Sequence, residues 1–97
     1  MGTAPDAARY EALLRAVEKP GRYVGGEFGS ILKPDAALRV AISYPDLYEI
    51  GMSNSAVKIL YALLNAIPGV GCERVFAPAP DFEAALRGAG QPLCSLE

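Results

Sequence analysis

The stretch that decides the fold is LRVAISY at Leu38–Tyr44. Its large residues alternate with Arg39 and the small residues Ala41 and Ser43, which is the period-two pattern of a β-strand. The small residues leave room for a helix packed close to that face of a sheet. We therefore expect this strand to be covered by a helix from a neighbouring part of the chain.

A helix is predicted next, over residues 53–66. Ser53 or Asn54 can cap its first turn, and Pro68 with Gly69 ends it. One apolar stripe at helical spacing runs along it: Val57, Leu60, Tyr61 and Leu64. Ile59 and Leu63 widen the apolar surface beyond one side. A helix of this kind is usually sandwiched between layers.

The same alternation continues toward the end of the chain. Residues 71–77 are predicted as a second strand, and Asp81 is predicted to cap a third helix that ends at Gly90. Residues 93–96 then have the pattern of a strand that is just starting. The β-α-β-α-β order from residue 38 predicts an α/β fold with a partial Rossmann-like parallel sheet. We interpret 38–97 as the first part of such a domain, truncated, with 1–37 ahead of it.

Residues 3–18 are predicted to form an amphipathic helix. Thr3 can cap this helix, and Asp6 lies in its favourable first turn. One apolar stripe runs along it: Tyr10, Leu13, Leu14 and Val17.

Residues 21–30 are rich in glycine and suggest a hairpin or an ordered loop. Gly25 and Gly26 fit a tight hairpin turn. A phosphate-binding loop is disfavoured, because such a loop follows a strand and opens a helix, whereas this one follows a helix and leads to a strand.

Composition excludes several classes of function. The 97 residues carry a formal net charge of -2 with both signs interspersed, so there is no basic patch for nucleic acid. No apolar run reaches the length of a membrane span, and no signal peptide is present, so we expect a cytoplasmic protein. The chain is 52% hydrophobic, which is rich for a small domain. Truncation of a larger domain explains this best; an unusually apolar small domain is the alternative.

Catalytic and metal-binding residues are not predicted in this chain. There is no histidine, which removes histidine-based acid-base catalysis and the commonest transition-metal ligand. Cys72 and Cys94 are far apart and belong to no Cys-x-x-Cys pair, so we expect two buried, reduced thiols.

The loop after the first strand is the candidate ligand-binding site, since open α/β sheets bind ligands beyond the carboxyl ends of their strands. Gly51 permits a close backbone approach, and the helix start exposes N–H groups to a polar ligand. The candidate cofactor-binding residues are Tyr44, Pro45, Asp46, Gly51, Ser53 and Asn54. The alternative is that the helix start is merely capped and the apolar loop residues pack inward. An acid-base pair of Asp46 and Glu49 is a weaker hypothesis.

Three segments resemble a known family. They are EKPGRYVGGE at 18–27, YPDLYEIGMSN at 44–54 and ERVFAP at 73–78. They are similar to the N-terminal region of bacterial radical S-adenosylmethionine proteins, often labelled Fe-S oxidoreductases, which carry a cobalamin-binding-like domain ahead of the radical domain. The resemblance extends from about residue 13 onward and implies that the Rossmann-like sheet is of the cobalamin-binding type.

The resemblance implies a parent enzyme with S-adenosylmethionine and a [4Fe-4S] cluster on a Cys-x-x-x-Cys-x-x-Cys motif. This chain lacks that motif, so no cofactor is expected in it alone. Cobalamin domains of the methionine synthase type have an Asp-x-His-x-x-Gly motif after the first strand, and this loop has no histidine. Cobalamin binding without a protein ligand and loss of cobalamin are both open alternatives.

The leading hypothesis is an N-terminal fragment of a radical S-adenosylmethionine Fe-S oxidoreductase that is not catalytic alone. Its partner would be the remainder of the parent chain, with the radical domain. One alternative is a non-catalytic protein-interaction module that forms homo-oligomers through an exposed edge strand or apolar face. Another is a small-ligand or nucleotide-binding α/β module that uses Gly51, Ser53 and Asn54.

Overall fold

The computed structural model describes residues 7–97, so the predicted cap Thr3 and the first-turn residue Asp6 lie outside the described residues. The elements in chain order are α1 (Ala7–Arg15), a short 3-10 turn (Pro20–Arg22), β1 (Leu38–Tyr44), α2 (Tyr48–Met52), α3 (Ser55–Asn65), β2 (Val70–Phe76) and α4 (Pro80–Ala89).

The two strands form a parallel sheet. Leu38 is aligned with Val70, and Tyr44 with Phe76. The predicted α/β fold with parallel strands is confirmed. β1 has its predicted bounds, and β2 begins and ends one residue before its predicted range. The connection between the strands contains two helices, because the short α2 precedes α3.

α3 packs on the sheet along one line of residues four apart, Val57, Tyr61 and Asn65, which are all buried. The Asn65 amide oxygen accepts from the Cys72 backbone N–H at 2.9 Å, and its nitrogen donates to the Cys72 carbonyl at 3.3 Å. This polar contact fixes the helix against β2.

The other side of α3 is exposed in the described part of the chain. Ile59, Leu60 and Leu63 are 48–60% exposed. The predicted stripe is therefore wrong for Leu60, since the buried line follows i, i+4 spacing and leaves Leu60 beside it. We expected α3 to be sandwiched between two layers, but in the described residues it packs on one layer, the sheet.

A second hydrophobic core joins α1 to α4. The stripe predicted over residues 3–18 contributes to it, although α1 ends at Arg15 and Val17 lies beyond its end. The Phe82 ring of α4 is fully buried at its centre. Tyr23 stacks on Phe82 with 4.1 Å between ring centroids, and Tyr10 meets the same ring edge-on at 5.5 Å. The buried members are Tyr10, Val17, Tyr23, Phe82 and Leu86.

α4 begins two residues earlier than its predicted cap implies. Its N-cap residue is Ala79, which makes no side-chain capping bond, and Pro80 occupies the first turn, where proline is favoured. Asp81 therefore does not cap the helix. Its carboxylate accepts instead from the backbone N–H groups of Phe82 at 2.7 Å and Glu18 at 3.0 Å. Gly90 ends the helix with φ +66°, as predicted.

The glycine-rich segment is an ordered loop, and the hairpin alternative is wrong because residues 21–30 contain no strand. Gly25 has φ +67°, and a Cβ built there would lie 2.0 Å from the Leu96 carbonyl oxygen. The loop therefore packs directly on the last residues of the chain.

Residues 91–97 contain no regular secondary structure. The Leu96 N–H donates to the Arg74 carbonyl at 2.8 Å, so this segment lies along β2. One backbone hydrogen bond does not make a strand, so the predicted third strand is not formed in the described residues.

Candidate functional site

The loops that follow β1 and β2 meet at one edge of the sheet. The Ala77 N–H donates to the Asp46 carbonyl at 2.8 Å. The Asp46 carboxylate accepts from the N–H of the next residue, Leu47, also at 2.8 Å. Pro45 between the strand and this turn is exposed. The Asp46 side chain thus stabilises the turn that leads into α2.

Tyr44 and Asn54, two of the predicted site residues, lie side by side. The Asn54 amide donates to the Tyr44 hydroxyl at 3.2 Å, and its oxygen accepts from the Val57 N–H at 3.1 Å. Asn54 is therefore the N-cap of α3. The Ser53 hydroxyl donates instead to the Glu49 carbonyl at 2.8 Å, at the end of α2.

Replacing Asn54 with alanine is expected to lower the free energy of unfolding by about 1 kcal/mol, because the first turn of α3 loses its capping acceptor. Ser53→Ala is the matched control, since its exposed hydroxyl donates to the Glu49 carbonyl of α2 and does not cap α3. We expect a change within about 0.5 kcal/mol. Urea unfolding of both variants measures the difference. Equal losses would contradict the assignment of the cap.

Gly51 is buried because the Phe76 ring lies against it. A Cβ built on Gly51 would come within 2.3 Å of the Cδ1 and Cε1 atoms of that ring. In the structure the group that approaches this glycine closely is the Phe76 ring, and a close approach by a ligand stays a prediction.

Glu49 pairs with Arg22 from the glycine-rich region. The Arg22 Nε–H lies 2.8 and 3.0 Å from the two carboxylate oxygens. This hydrogen bond holds the pKa of Glu49 below its usual range. A general acid near neutral pH needs a raised pKa, so the arrangement does not favour the acid-base pair of Asp46 and Glu49.

Arg74, in the middle of β2, is a buried charged residue that was not among the predicted site residues. Its side chain is 7% exposed. The Nη2 atom donates to the carboxylates of Glu27 and Glu97 and to the Ser30 hydroxyl at 3.2 Å. We call Arg74, Glu27 and Glu97 the Arg74 cluster. It joins the sheet, the glycine-rich loop and the last residue of the chain.

Helices α2 and α3 contact the same guanidinium. The Arg74 Cζ atom lies 4.1 Å from the centroid of the Tyr61 ring, a cation-π contact. Its Nη1 lies 3.3 Å from the Met52 sulfur. Burial opposes the charge on Arg74, but hydrogen bonding and attraction to Glu97 outweigh it and raise the pKa of Arg74.

Glu27 is ionised for a related reason. Burial by itself would raise the pKa of Glu27, but hydrogen bonds from its own backbone and Ser30, together with the charge of Arg74, lower it. The cluster therefore holds two carboxylates against one guanidinium.

The two cysteines do not meet. Cys72 is 1% exposed on β2, Cys94 is half-buried, and both are free thiols. Burial raises the pKa of each. Among residues 7–97 no group of three or more His, Cys, Asp or Glu side chains is placed to hold a metal ion.

Residues 56–97 match the family model described as "Radical SAM proteins, N-terminal". The matched region runs from the first turn of α3 through β2 and α4, and so includes Arg74 but not the 44–54 loop. No curated protein and no solved structure gives a significant match. The family match supports the interpretation that this chain comes from a radical S-adenosylmethionine protein. No helix in the described residues has the length and apolar character that crossing a bilayer requires.

Proposed function

We propose that this chain is the N-terminal part of a cytoplasmic radical S-adenosylmethionine Fe-S oxidoreductase. In this proposal residues 1–37 precede the start of a cobalamin-binding-like domain, and the chain is not catalytic alone. The observation that carries the proposal is the family match over residues 56–97, which covers α3, β2 and α4. The resemblance of the 44–54 loop adds to it.

The family implies a [4Fe-4S] cluster and S-adenosylmethionine in the parent protein. The residues of this chain do not fit the cluster, which requires thiolate ligands close together. Cys72 is buried within β2 and hydrogen-bonds weakly to the Glu73 carbonyl at 3.8 Å. Cluster ligands would therefore come from another part of the parent.

In this proposal the 44–54 loop contacts cobalamin or a related ligand. The loop lies beyond the carboxyl end of β1, where open α/β sheets bind ligands. It has no histidine, so cobalamin would bind here without a protein ligand to cobalt. We keep Tyr44, Pro45, Asp46, Gly51, Ser53 and Asn54 as the proposed contact residues, although Asn54 and Gly51 have structural roles as well.

The remainder of the parent chain, with its radical domain, is the proposed partner of the exposed side of α3. Ile59, Leu60 and Leu63 present adjacent apolar surface there. A non-catalytic interaction module that self-associates is the second candidate, favoured by the same surface and by a sheet of two strands. Light scattering over a wide concentration range separates the two, since a strict monomer argues against self-association.

Iron and sulfide content tests the main proposal. The purified 97-residue chain, reconstituted anaerobically, is expected to bind no stoichiometric cluster. The natural reading frame that contains it is expected to encode three cysteines at the Cys-x-x-x-Cys-x-x-Cys spacing, and its product to bind about four iron atoms per chain in a [4Fe-4S] cluster. That product should also cleave S-adenosylmethionine when reduced.

Two results would count against the proposal. A stoichiometric cluster on the 97-residue chain would place ligands where the sequence has none. A reading frame without the three cysteines would leave the interaction module as the better explanation. Replacing the three cysteines with alanine is the control for the cleavage assay.

A further inference from the structure

A cavity of about 300 Å³ lies between the glycine-rich loop and α3. This volume is at the lower end of the range for small-molecule sites. Its lining is mostly apolar, with Tyr61 from α3 and the fully exposed Phe28 from the glycine-rich loop. Arg74 and Lys58 are its charged lining residues, and Lys58 is exposed.

One nitrogen of Arg74 has a weak partner at this cavity. Nε and Nη2 donate to carboxylates, whereas the acceptor of Nη1 is the Met52 sulfur at 3.3 Å. A thioether is a weak acceptor, and Nη1 carries two N–H groups. Both Arg74 and Met52 line the cavity. A ligand with a better acceptor would therefore gain a hydrogen bond from a charged, nearly buried donor.

The charges around Arg74 decide what kind of acceptor fits. Glu27 and Glu97 pair with the guanidinium and outnumber it two to one. The second lining cation, Lys58, is exposed, so water screens its charge. A further anion at Nη1 would be repelled by these carboxylates at short range. A carbonyl oxygen accepts a hydrogen bond without adding net charge. The aromatic and aliphatic lining favours a flat apolar body attached to that carbonyl.

We propose that this cavity binds a small, flat, uncharged molecule whose carbonyl oxygen accepts a hydrogen bond from Arg74 Nη1 in place of the Met52 sulfur. An aromatic amide is the simplest member of this class. The site is independent of the proposed radical chemistry and requires no metal.

Three probes of similar size test the ligand class on the full 97-residue chain. Benzamide has the ring and an uncharged carbonyl, benzoate has a charged acceptor, and ethylbenzene has none. Titration followed by ¹H-¹⁵N NMR is expected to give saturable shifts with benzamide at the backbone amides of Ile31, Met52 and Tyr61 and at Arg74 Nε. Ethylbenzene should bind at least about tenfold more weakly, the worth of one hydrogen bond to a charged donor. Benzoate should also bind at least about tenfold more weakly, because Glu27 and Glu97 repel its charge.

Two matched variants test the location. Ala62 lines the cavity on the exposed surface of α3, whereas Ala56 is exposed on the same helix and is not among the lining residues. Ala62→Leu should weaken benzamide at least about tenfold by filling the space, and Ala56→Leu should leave its affinity unchanged. Both replace alanine with another strong helix former, so fold loss is not expected.

The proposal is overturned by any of three results. Benzoate could bind as tightly as benzamide, which would make the site an anion site. Ala62→Leu could bind benzamide as well as the parent chain does, which would place the ligand elsewhere. Benzamide could give no saturable shifts. Loss of benzamide binding in Ala62→Leu, retention in Ala56→Leu and discrimination against benzoate together support it.

Discussion

Replacing Arg74 with alanine is expected to lower the free energy of unfolding by about 3 to 5 kcal/mol. The variant leaves two carboxylates facing each other without the guanidinium that neutralises them. The Glu97 side chain is 3% exposed and the Glu27 side chain 20%. The loss also removes the contact with the Tyr61 ring. Urea unfolding monitored by circular dichroism measures the change.

Arg87→Ala is the matched control. Arg87 pairs with Glu83 at i, i+4 spacing on α4, and its side chain is 79% exposed. Such surface pairs contribute about 0.5 kcal/mol or less. Similar losses for Arg74→Ala and Arg87→Ala would show that the cluster is not a buried charge network. Arg74→Lys should lie between alanine and the parent, since lysine keeps the charge but lacks the planar fork that bridges two carboxylates.

Gly51→Ala is expected to lower the free energy of unfolding by about 2 to 3 kcal/mol. The added methyl would lie 2.3 Å from the Phe76 ring, so α2 or the ring must move. The effect opposes helix propensity, because Gly51 lies in α2 and alanine is the better helix former. Thermal and urea unfolding of the variant give the sign and size of the change in the free energy of unfolding.

Gly88 offers a control with the same change in helix propensity. It lies in α4, and a Cβ there would meet nothing within 4 Å. We expect Gly88→Ala to stabilise the chain by about 0.5 to 1 kcal/mol. If Gly51→Ala and Gly88→Ala change the free energy of unfolding in the same direction, the contact with Phe76 does not restrict which side chain residue 51 can carry. In the double variant with Phe76→Leu, part of the Gly51→Ala loss should be recovered relative to Phe76→Leu alone.

The regular elements of this fold could be predicted because their patterns are local. β1 has the predicted bounds since its alternation is uninterrupted over seven residues. α2 was missed because five residues are too few for a helical period to emerge. The cap at Asp81 was wrong because the sequence allows two helix starts. Asp81 can cap the helix, or Pro80 can begin it with Asp81 in the first turn, where an aspartate is also favourable.

Part of the candidate site could also be predicted. The two alternative caps of α3 were named, and the structure selects Asn54. A close approach at Gly51 was expected for a ligand, whereas the structure places Phe76 there. Phe76 is 25 residues away in the sequence, so no local pattern reveals this contact. Arg74 did leave a signal, because it stands between Cys72 and Phe76 on the buried face of β2. A charge at an inward strand position implies a partner, although the partners themselves lie 47 and 23 residues away.

The contact between α1 and α4 has a consequence for synthesis on the ribosome. The Tyr10 ring of α1 meets the Phe82 ring of α4, which lies 72 residues further along the chain. At typical translation rates, about 4 to 14 seconds pass between the synthesis of these two residues. During that time the stripe of α1 has no Phe82 to pack against. A chaperone that recognises nascent apolar segments would therefore find its best opportunity at the N-terminal helix, before α4 has emerged.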